Sequence, residues 1–139
     1  MIEKIELGTN FRRQVEASAC VDRVFQSLGP IDDDIVIASA NGTFVDGAEK
    51  AAVRRHCPSA KIYAPKVALG ESVGAGSIWQ VICAAEALRT QQLPPIPHVT
   101  TASSLQVSDQ RCDDLRCDRA IVSSCGLSQQ VAGLTLRRR

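Results

Sequence analysis

Gly70-Glu71-Ser72-Val73-Gly74-Ala75-Gly76-Ser77 runs without a break into Ile78-Trp79-Gln80-Val81-Ile82-Cys83-Ala84-Ala85-Glu86-Ala87-Leu88. The first part is a loop of small residues, which permits a close approach of neighbouring backbone. The second part reads as a helix that is apolar on nearly every side, and such a helix is sandwiched between layers rather than laid on a surface. In a chain of 139 residues only one of its sides can face the domain's own sheet. Something else is expected to cover the other.

Upstream of this stretch, Lys61-Ile62-Tyr63-Ala64 reads as a short strand, and Pro58 ends the helix before it. That helix carries Ala48, Ala51, Ala52 and Val53 as a small-residue face, with Asp46 as its cap and Glu49 three residues on in the capping-box position. It follows the loop Ser39-Ala40-Asn41-Gly42-Thr43 and the run Ile35-Val36-Ile37-Ala38, whose unbroken apolar character fits a strand covered on both faces. Farther back, Val15, Ala19, Val21, Val24, Phe25 and Leu28 recur at mostly helical spacing from Phe11 to Leu28, and Gly29-Pro30 closes the pattern. Ile2 to Leu7 alternates only in part and fits either a short edge strand or an unstructured lead-in.

Downstream, Pro94-Pro95-Ile96-Pro97 makes a stiff, extended exit. Leu105-Gln106-Val107, Arg119 to Ser123 and Val131 to Leu136 then read as two or three strands joined by turns. The order of helix, strand, helix, strand, buried helix and terminal strands describes an α/β fold, an open sheet with helices on both faces.

Composition narrows the function classes. With 45% hydrophobic residues the chain 1–139 is expected to be one domain, burying roughly two thirds of its unfolded surface. Aromatic content is 4%, so the core is built from Val, Ile, Leu and Ala. Sixteen basic against fifteen acidic residues leave a net charge of +1, which gives no footprint for nucleic acid. No apolar run is long enough to span a membrane and the first residues do not resemble a signal peptide, so a cytoplasmic location is expected. The cysteines at 20, 57, 83, 112, 117 and 125 form no CxxC pair, and His56 and His98 lie far apart. No metal or other cofactor is therefore expected, and most of these cysteines read as small buried hydrophobes.

Three segments carry a family resemblance. Gly42-Thr43 and Glu49 match the end of a histidine loop and the helix after it; Lys66, Gly70-Glu71 and Gly74-Ala75-Gly76 match a second loop that leads into the buried helix; Ser124-Cys125-Gly126-Leu127-Ser128-Gln129 matches a third, glycine-rich signature. Together, and with the Pro94–Pro97 exit, they resemble the thiolase-fold condensing enzymes, specifically the C-terminal half of a β-ketoacyl synthase, over residues 12 to 137. The resemblance implies a thiolase-like half: a five-stranded mixed sheet with helices on both faces, whose long helix is buried against the other half of the enzyme. It places Ser39 and Glu71 where the family has its two catalytic histidines, and Leu127 where a phenylalanine often gates the acyl tunnel.

These substitutions bear on the chemistry that the resemblance implies. Decarboxylative condensation needs a nucleophilic cysteine, which the family carries in its other half, and two imidazoles that stabilise charge on the extender thioester. The Ser39 hydroxyl still donates a hydrogen bond, but Glu71 brings negative charge to where enolate charge must develop. Losing one such donor costs about 3 kcal/mol, roughly a hundredfold in rate. Ordinary condensation is not expected of this chain alone. Cys125 followed by Gly126 invites comparison with the catalytic Cys-x-Gly of thiolases, but without a nearby base or cation its thiol stays near a pKa of about 8.5 and mostly unreactive. Ser39 and Glu71 fit a polar network that reads a ligand, or plain loop capping. Lys66 is expected to pair with Glu71 or another carboxylate and hold the loops together, Thr43 to belong to the same shell, and Trp79 to be a core or subunit-contact residue.

Three functions follow as expectations. The first is an accessory, non-condensing subunit of a fatty acid or polyketide type pathway, paired with a thiolase-like or β-ketoacyl-synthase-like subunit or with a second copy of itself. The second is an acyltransferase or thioester hydrolase completed by a partner or formed as a homodimer, with Ser39, Glu71 or Cys125 as its reacting groups. The third is a binding module for an acyl carrier protein, met by Arg12, Arg13, Arg54, Arg55, Lys66 and the terminal arginines.

Overall fold

The computed structural model describes residues 1–40, 42–72, 74–96, 111–126 and 129–139. Five strands form one mixed sheet: β1 (Ile2–Asn10), β2 (Ile35–Ile37), β3 (Lys61–Tyr63), β4 (Arg119–Cys125) and β5 (Gln130–Arg137), in the order β1-β5-β4-β2-β3. β2 runs parallel to both β3 and β4, whereas β5 is antiparallel to β4 and to β1. The helices are α1 (Gln14–Leu28), α2 (Phe44–His56), the one-turn α3 (Lys66–Leu69) and α4 (Gly76–Thr90).

The sheet has a core on each face. On one side α1 and α2 pack through Val21, Val24, Phe25, Ala52 and Val53 against Val36, Ile121 and Val131. On the other, Ala84, Ala87 and Leu88 of α4 pack on Ile35, Ile37, Val122 and Leu136. Helices on both faces of a mixed five-stranded sheet are what the sequence pattern and the thiolase-like resemblance implied.

Two ambiguities are resolved. The N-terminal segment is a strand, nine residues long, paired with β5 across irregularities at Ile2/Lys4 and Glu6/Thr9. Gly8 sits in the second of these with φ +71°, and a Cβ there would lie 1.5 Å from the Val131 carbonyl oxygen, so no other residue fits. α1 starts at Gln14 rather than Phe11, and Gly29 closes it in the left-handed conformation with its N–H on the Phe25 carbonyl. Phe11 instead packs edge-on against Phe44, with ring centroids 5.9 Å apart.

The start of α2 corrects a sequence reading. Thr43, not Asp46, is the N-cap: its side chain accepts from the Val45 N–H at 3.4 Å. Asp46 lies inside the first turn and accepts from the Gly42 N–H at 2.9 Å. Glu49 does not close a capping box, because its side chain turns into the protein. Leu105-Gln106-Val107 and Leu127 lie outside the described residues.

The helix that is apolar on all sides behaves as its sequence requires. One side is buried through Gln80, Ala84, Ala87 and Leu88, while Ile78, Trp79 and Ile82 stand 61%, 48% and 45% exposed. Three large apolar side chains at i, i+1 and i+4 on one helix make an exposed apolar face that the described residues do not cover.

Candidate functional site

β2 and β4 are neighbouring parallel strands in register, Ile37 opposite Val122, so their C-terminal ends emerge side by side. Ligand sites in open α/β sheets form at such ends. Here the juxtaposition brings Ser39 against Cys125, 86 residues away in sequence. The Ser39 hydroxyl accepts from the Cys125 N–H at 3.0 Å and donates to the Cys125 carbonyl at 3.1 Å. It also accepts from Lys66 Nζ at 2.9 Å. Lys66 reaches this point because Pro65 and the short α3 turn it inward, where it is buried. Its ammonium also donates to the Cys125 carbonyl at 3.3 Å and meets both Glu71 carboxylate oxygens at 3.1 and 3.2 Å. The Glu71 side chain keeps 24% exposure, so this pair has one end in the protein and one near solvent.

Beneath Ser39 lies a second carboxyl, that of Glu49, 1% exposed. Both of its oxygens accept from the Ser39 N–H, at 3.0 and 3.1 Å, and Oε1 accepts from the Ser123 hydroxyl at 2.5 Å. Burial pushes the Glu49 pKa up to about 7; the Ser123 and Ser39 hydrogen bonds oppose that, Asp46 reinforces it and Lys66 opposes it weakly. The period of two along β4 sends Ser123 and Cys125 toward α2 and Ser124 to the other face. There the Ser124 hydroxyl meets that of Ser77, at the start of α4, at 2.6 Å. Gln80 of α4 donates to the Ser123 carbonyl at 2.7 Å, while its own Oε1 is buried without a partner.

The Cys125 thiol packs with the α1 and α2 layer and is 4% exposed. Burial raises its pKa far above the ordinary thiol range, and the Glu49 carboxylate raises it further. It is held as a thiol, the form that is neither nucleophile nor metal ligand.

On the α4 side of the sheet a trough of about 470 Å³ runs from this network to the β1 edge. Lys66, Glu71, Ser77 and Ser124 form its polar end; Val81, Val122, Ala132, Leu134, Ile5 and Leu7 form its apolar walls. Ile5 and Leu7 stand 57% and 78% exposed.

Four of the candidates read from sequence thus meet in one network: Ser39, Lys66, Glu71 and Cys125. Thr43 stands apart as the α2 cap. Sequence reasoning missed Ser123 and Gln80, and it read Glu49 as a capping residue and a family-motif match rather than as the buried carboxyl behind Ser39. The readable signal for Glu49 was its place on the small-residue face of α2, with Ala52 and Val53 three and four positions on. Among the described residues no group of three His, Cys, Asp or Glu side chains is arranged to hold a metal ion.

Residues 5–100 match the family model described as the β-ketoacyl synthase C-terminal domain. The chain belongs to that family. Likeness to solved structures extends over almost all of it. It is similar to ketosynthase twelve of the bacillaene polyketide synthase of Bacillus amyloliquefaciens, with 19% identity and a TM-score of 0.75 over 99% of this chain and 30% of that one. It is similar to the ishigamide ketosynthase/chain length factor, with 19% identity and a TM-score of 0.76 over 99% of this chain and 38% of that one. A third likeness is to AntDE:AntF, a type II acyl carrier protein in complex with its ketosynthase bound to a hexaketide, with 14% identity and a TM-score of 0.67 over 97% and 37%. At these identities the structures show the fold, a thiolase-like half, and the chain spans well under half the length of each. No curated protein sequence matches it. The matched family model is that of the C-terminal domain, and ordinary ketoacyl synthase chemistry is not expected of this chain alone. Among the described residues no helix is long and apolar enough to cross a membrane.

Proposed function

We propose that this β-ketoacyl synthase C-terminal domain is an accessory, non-condensing subunit of a fatty acid or polyketide type pathway, and that it pairs with a partner of thiolase-like fold through the α4 face and the trough beside it. The observation that carries this reading is the uncovered apolar surface: Ile78, Trp79 and Ile82 on α4, continuous in composition with Ile5, Leu7, Val81 and Leu134 along the trough. Among the described residues, one face of the sheet is packed by the two helices α1 and α2, and the other by α4 together with Leu93, Ile96, Leu115 and Cys117. A stable obligate interface buries about 2,000 Å² or more and resembles a domain core cut in half, which is the composition of this face.

The site network supports a structural role for the residues at the former histidine positions. The Ser39 hydroxyl is engaged by Lys66 and by both the N–H and the carbonyl of Cys125, so attack on an acyl group would have to break that arrangement first. Lys66 bonds Ser39, Cys125 and Glu71 together, tying the ends of β2 and β4 to the loop before α4. An acyltransferase or hydrolase acting through Ser39 or Cys125 is disfavoured by the burial of both groups and by the raised thiol pKa.

Light scattering of the chain alone, and mixed with a thiolase-like candidate partner, tests the proposal. A fixed-ratio heteromer supports it; a well-folded monomer that associates with nothing refutes it.

A further inference from the structure

β1 is an end strand of the sheet, and among the described residues nothing pairs with its outer edge. Lys4, Ile5 and Glu6 stand opposite Thr135, Leu134 and Gly133 of β5 in an unbroken antiparallel run between the two irregularities. β5 turns its odd-numbered backbone groups toward β1, as the Arg137 N–H on the Met1 carbonyl and the Gln129 carbonyl on the Phe11 N–H show. Lys4 and Glu6 therefore bond inward to Thr135 and Gly133, and the N–H and C=O of Ile5 point away from the sheet. The side chains divide as well. Ile5 and Leu7 line the trough, whereas Lys4 and Glu6 reach Ser27 of α1, Lys4 at its carbonyl and Glu6 at its hydroxyl.

An open edge is a template for another strand, and charged side chains along it ordinarily keep strands away. On β1 the order of the charges admits one occupant, a second copy of the same strand run antiparallel. Centred on Ile5, such a pairing sets Ile5 against Ile5, uses the outward groups of both, and places Lys4 across from Glu6 twice. Shifted to the next registers that use those groups, it is centred on Lys4 or on Glu6 and sets two lysines or two glutamates face to face. Opposite charges directly across a ladder stabilise it and like charges destabilise it, so the order of residues in β1 specifies one register. The other charged groups at this edge are engaged within the chain: Glu3 pairs with Arg119 and Arg137, and Arg23 reaches the Thr9 hydroxyl at 3.5 Å.

We propose that two copies of this chain pair through β1, antiparallel about a two-fold axis at Ile5, and so join their two sheets into one. Both copies contribute the same strand, so the contact closes at two. The opposite edge strand, β3, is three residues long and offers little ladder for further growth. The pairing runs in the plane of the sheet, whereas the α4 face lies over it. It therefore goes beyond the docking of a thiolase-like partner, and either reading can fail while the other stands.

Sedimentation velocity of the chain on its own, from about 1 to 300 µM, reads the association. The wild type is expected to pass from monomer to dimer within this range. Lys4→Glu and Glu6→Lys each set like charges across the ladder and are expected to weaken the dimer about tenfold or more. Mixed in equal amounts, the two variants again oppose unlike charges at both positions, and the mixed dimer is expected to form as tightly as the wild type's. Hydrogen exchange of the wild type needs no variant: the Ile5 amide gains protection as concentration rises, while the Lys4 and Glu6 amides, already bonded to β5, change little. A wild type that stays monomeric, single variants that dimerise as tightly as the wild type, a mixture no tighter than its parts, or an Ile5 amide indifferent to concentration each overturns the proposal. So does a dimer that Trp79→Glu abolishes, since that would place the contact on α4.

Discussion

Glu49→Gln removes one ionisable proton from the protein interior while keeping the side chain's shape and its capacity to accept from the Ser39 N–H. The Glu49 carboxyl has a pKa of about 7 in the folded chain against 4.5 in its ordinary state. A carboxyl whose pKa is raised by folding binds its proton more tightly in the native state, so its stabilising contribution is complete below about pH 4.5 and is lost as pH rises through 7. The shift of about two and a half pKa units, at 1.36 kcal/mol per unit, corresponds to about 3 kcal/mol of stability that the wild type gives up across this window. The variant has no such loss. Urea unfolding at half-unit intervals from pH 4.5 to 8.5 is predicted to show wild-type stability falling toward alkaline pH and a much flatter Glu49→Gln profile. The two curves lie closest at the acid end, where Glu49 is protonated and resembles glutamine. Parallel curves would refute the reasoning, because they would show that Glu49 does not titrate between the folded and unfolded states in this range.

Two further outcomes follow from the same network. Lys66→Met removes the charged donor to the Ser39 hydroxyl and Cys125 carbonyl and the Lys66–Glu71 ion pair, so unfolding free energy falls by about 1–3 kcal/mol in chemical denaturation; an unchanged midpoint would show that the network contributes nothing. Thiol alkylation of the native chain at pH 8, read by peptide mass, is predicted to reach the half-buried Cys83 and Cys112 well before Cys125, whose thiol is buried and held protonated. Preferential labelling of Cys125 would restore it as a reactive group.

Different parts of this architecture were legible to different degrees. The α4 segment announced itself because its apolar residues leave no polar stripe, and the structure shows one side packed and one side uncovered. The central strands β2 and β4 were readable as apolar runs for the same reason, since both faces are covered. β1 was ambiguous because its pairing with β5 slips twice, which breaks the alternation that marks a strand. The cap of α2 was misread because Thr43 and Asp46 are both good capping residues and only backbone geometry separates them. The site was half legible: Ser39, Lys66, Glu71 and Cys125 stood out by resemblance, but the contact between Ser39 and Cys125 depends on β2 and β4 being sheet neighbours, which local pattern does not encode. Glu49 escaped because a glutamate early in a helix reads as a cap or a solvated charge, whereas the small residues around it place it inside.

The central claim is that the uncovered α4 face belongs to an interface with a thiolase-like partner. Native mass measurement of the untagged complex, for the wild type and for Trp79→Glu, tests it most directly. The account predicts one thiolase-like chain in fixed ratio with the wild type, and its loss in a variant that still unfolds cooperatively, because Trp79 is half exposed and contributes little to the domain's own core. A wild-type chain that is a stable monomer, or a Trp79→Glu variant that keeps its partner undiminished, would contradict the account.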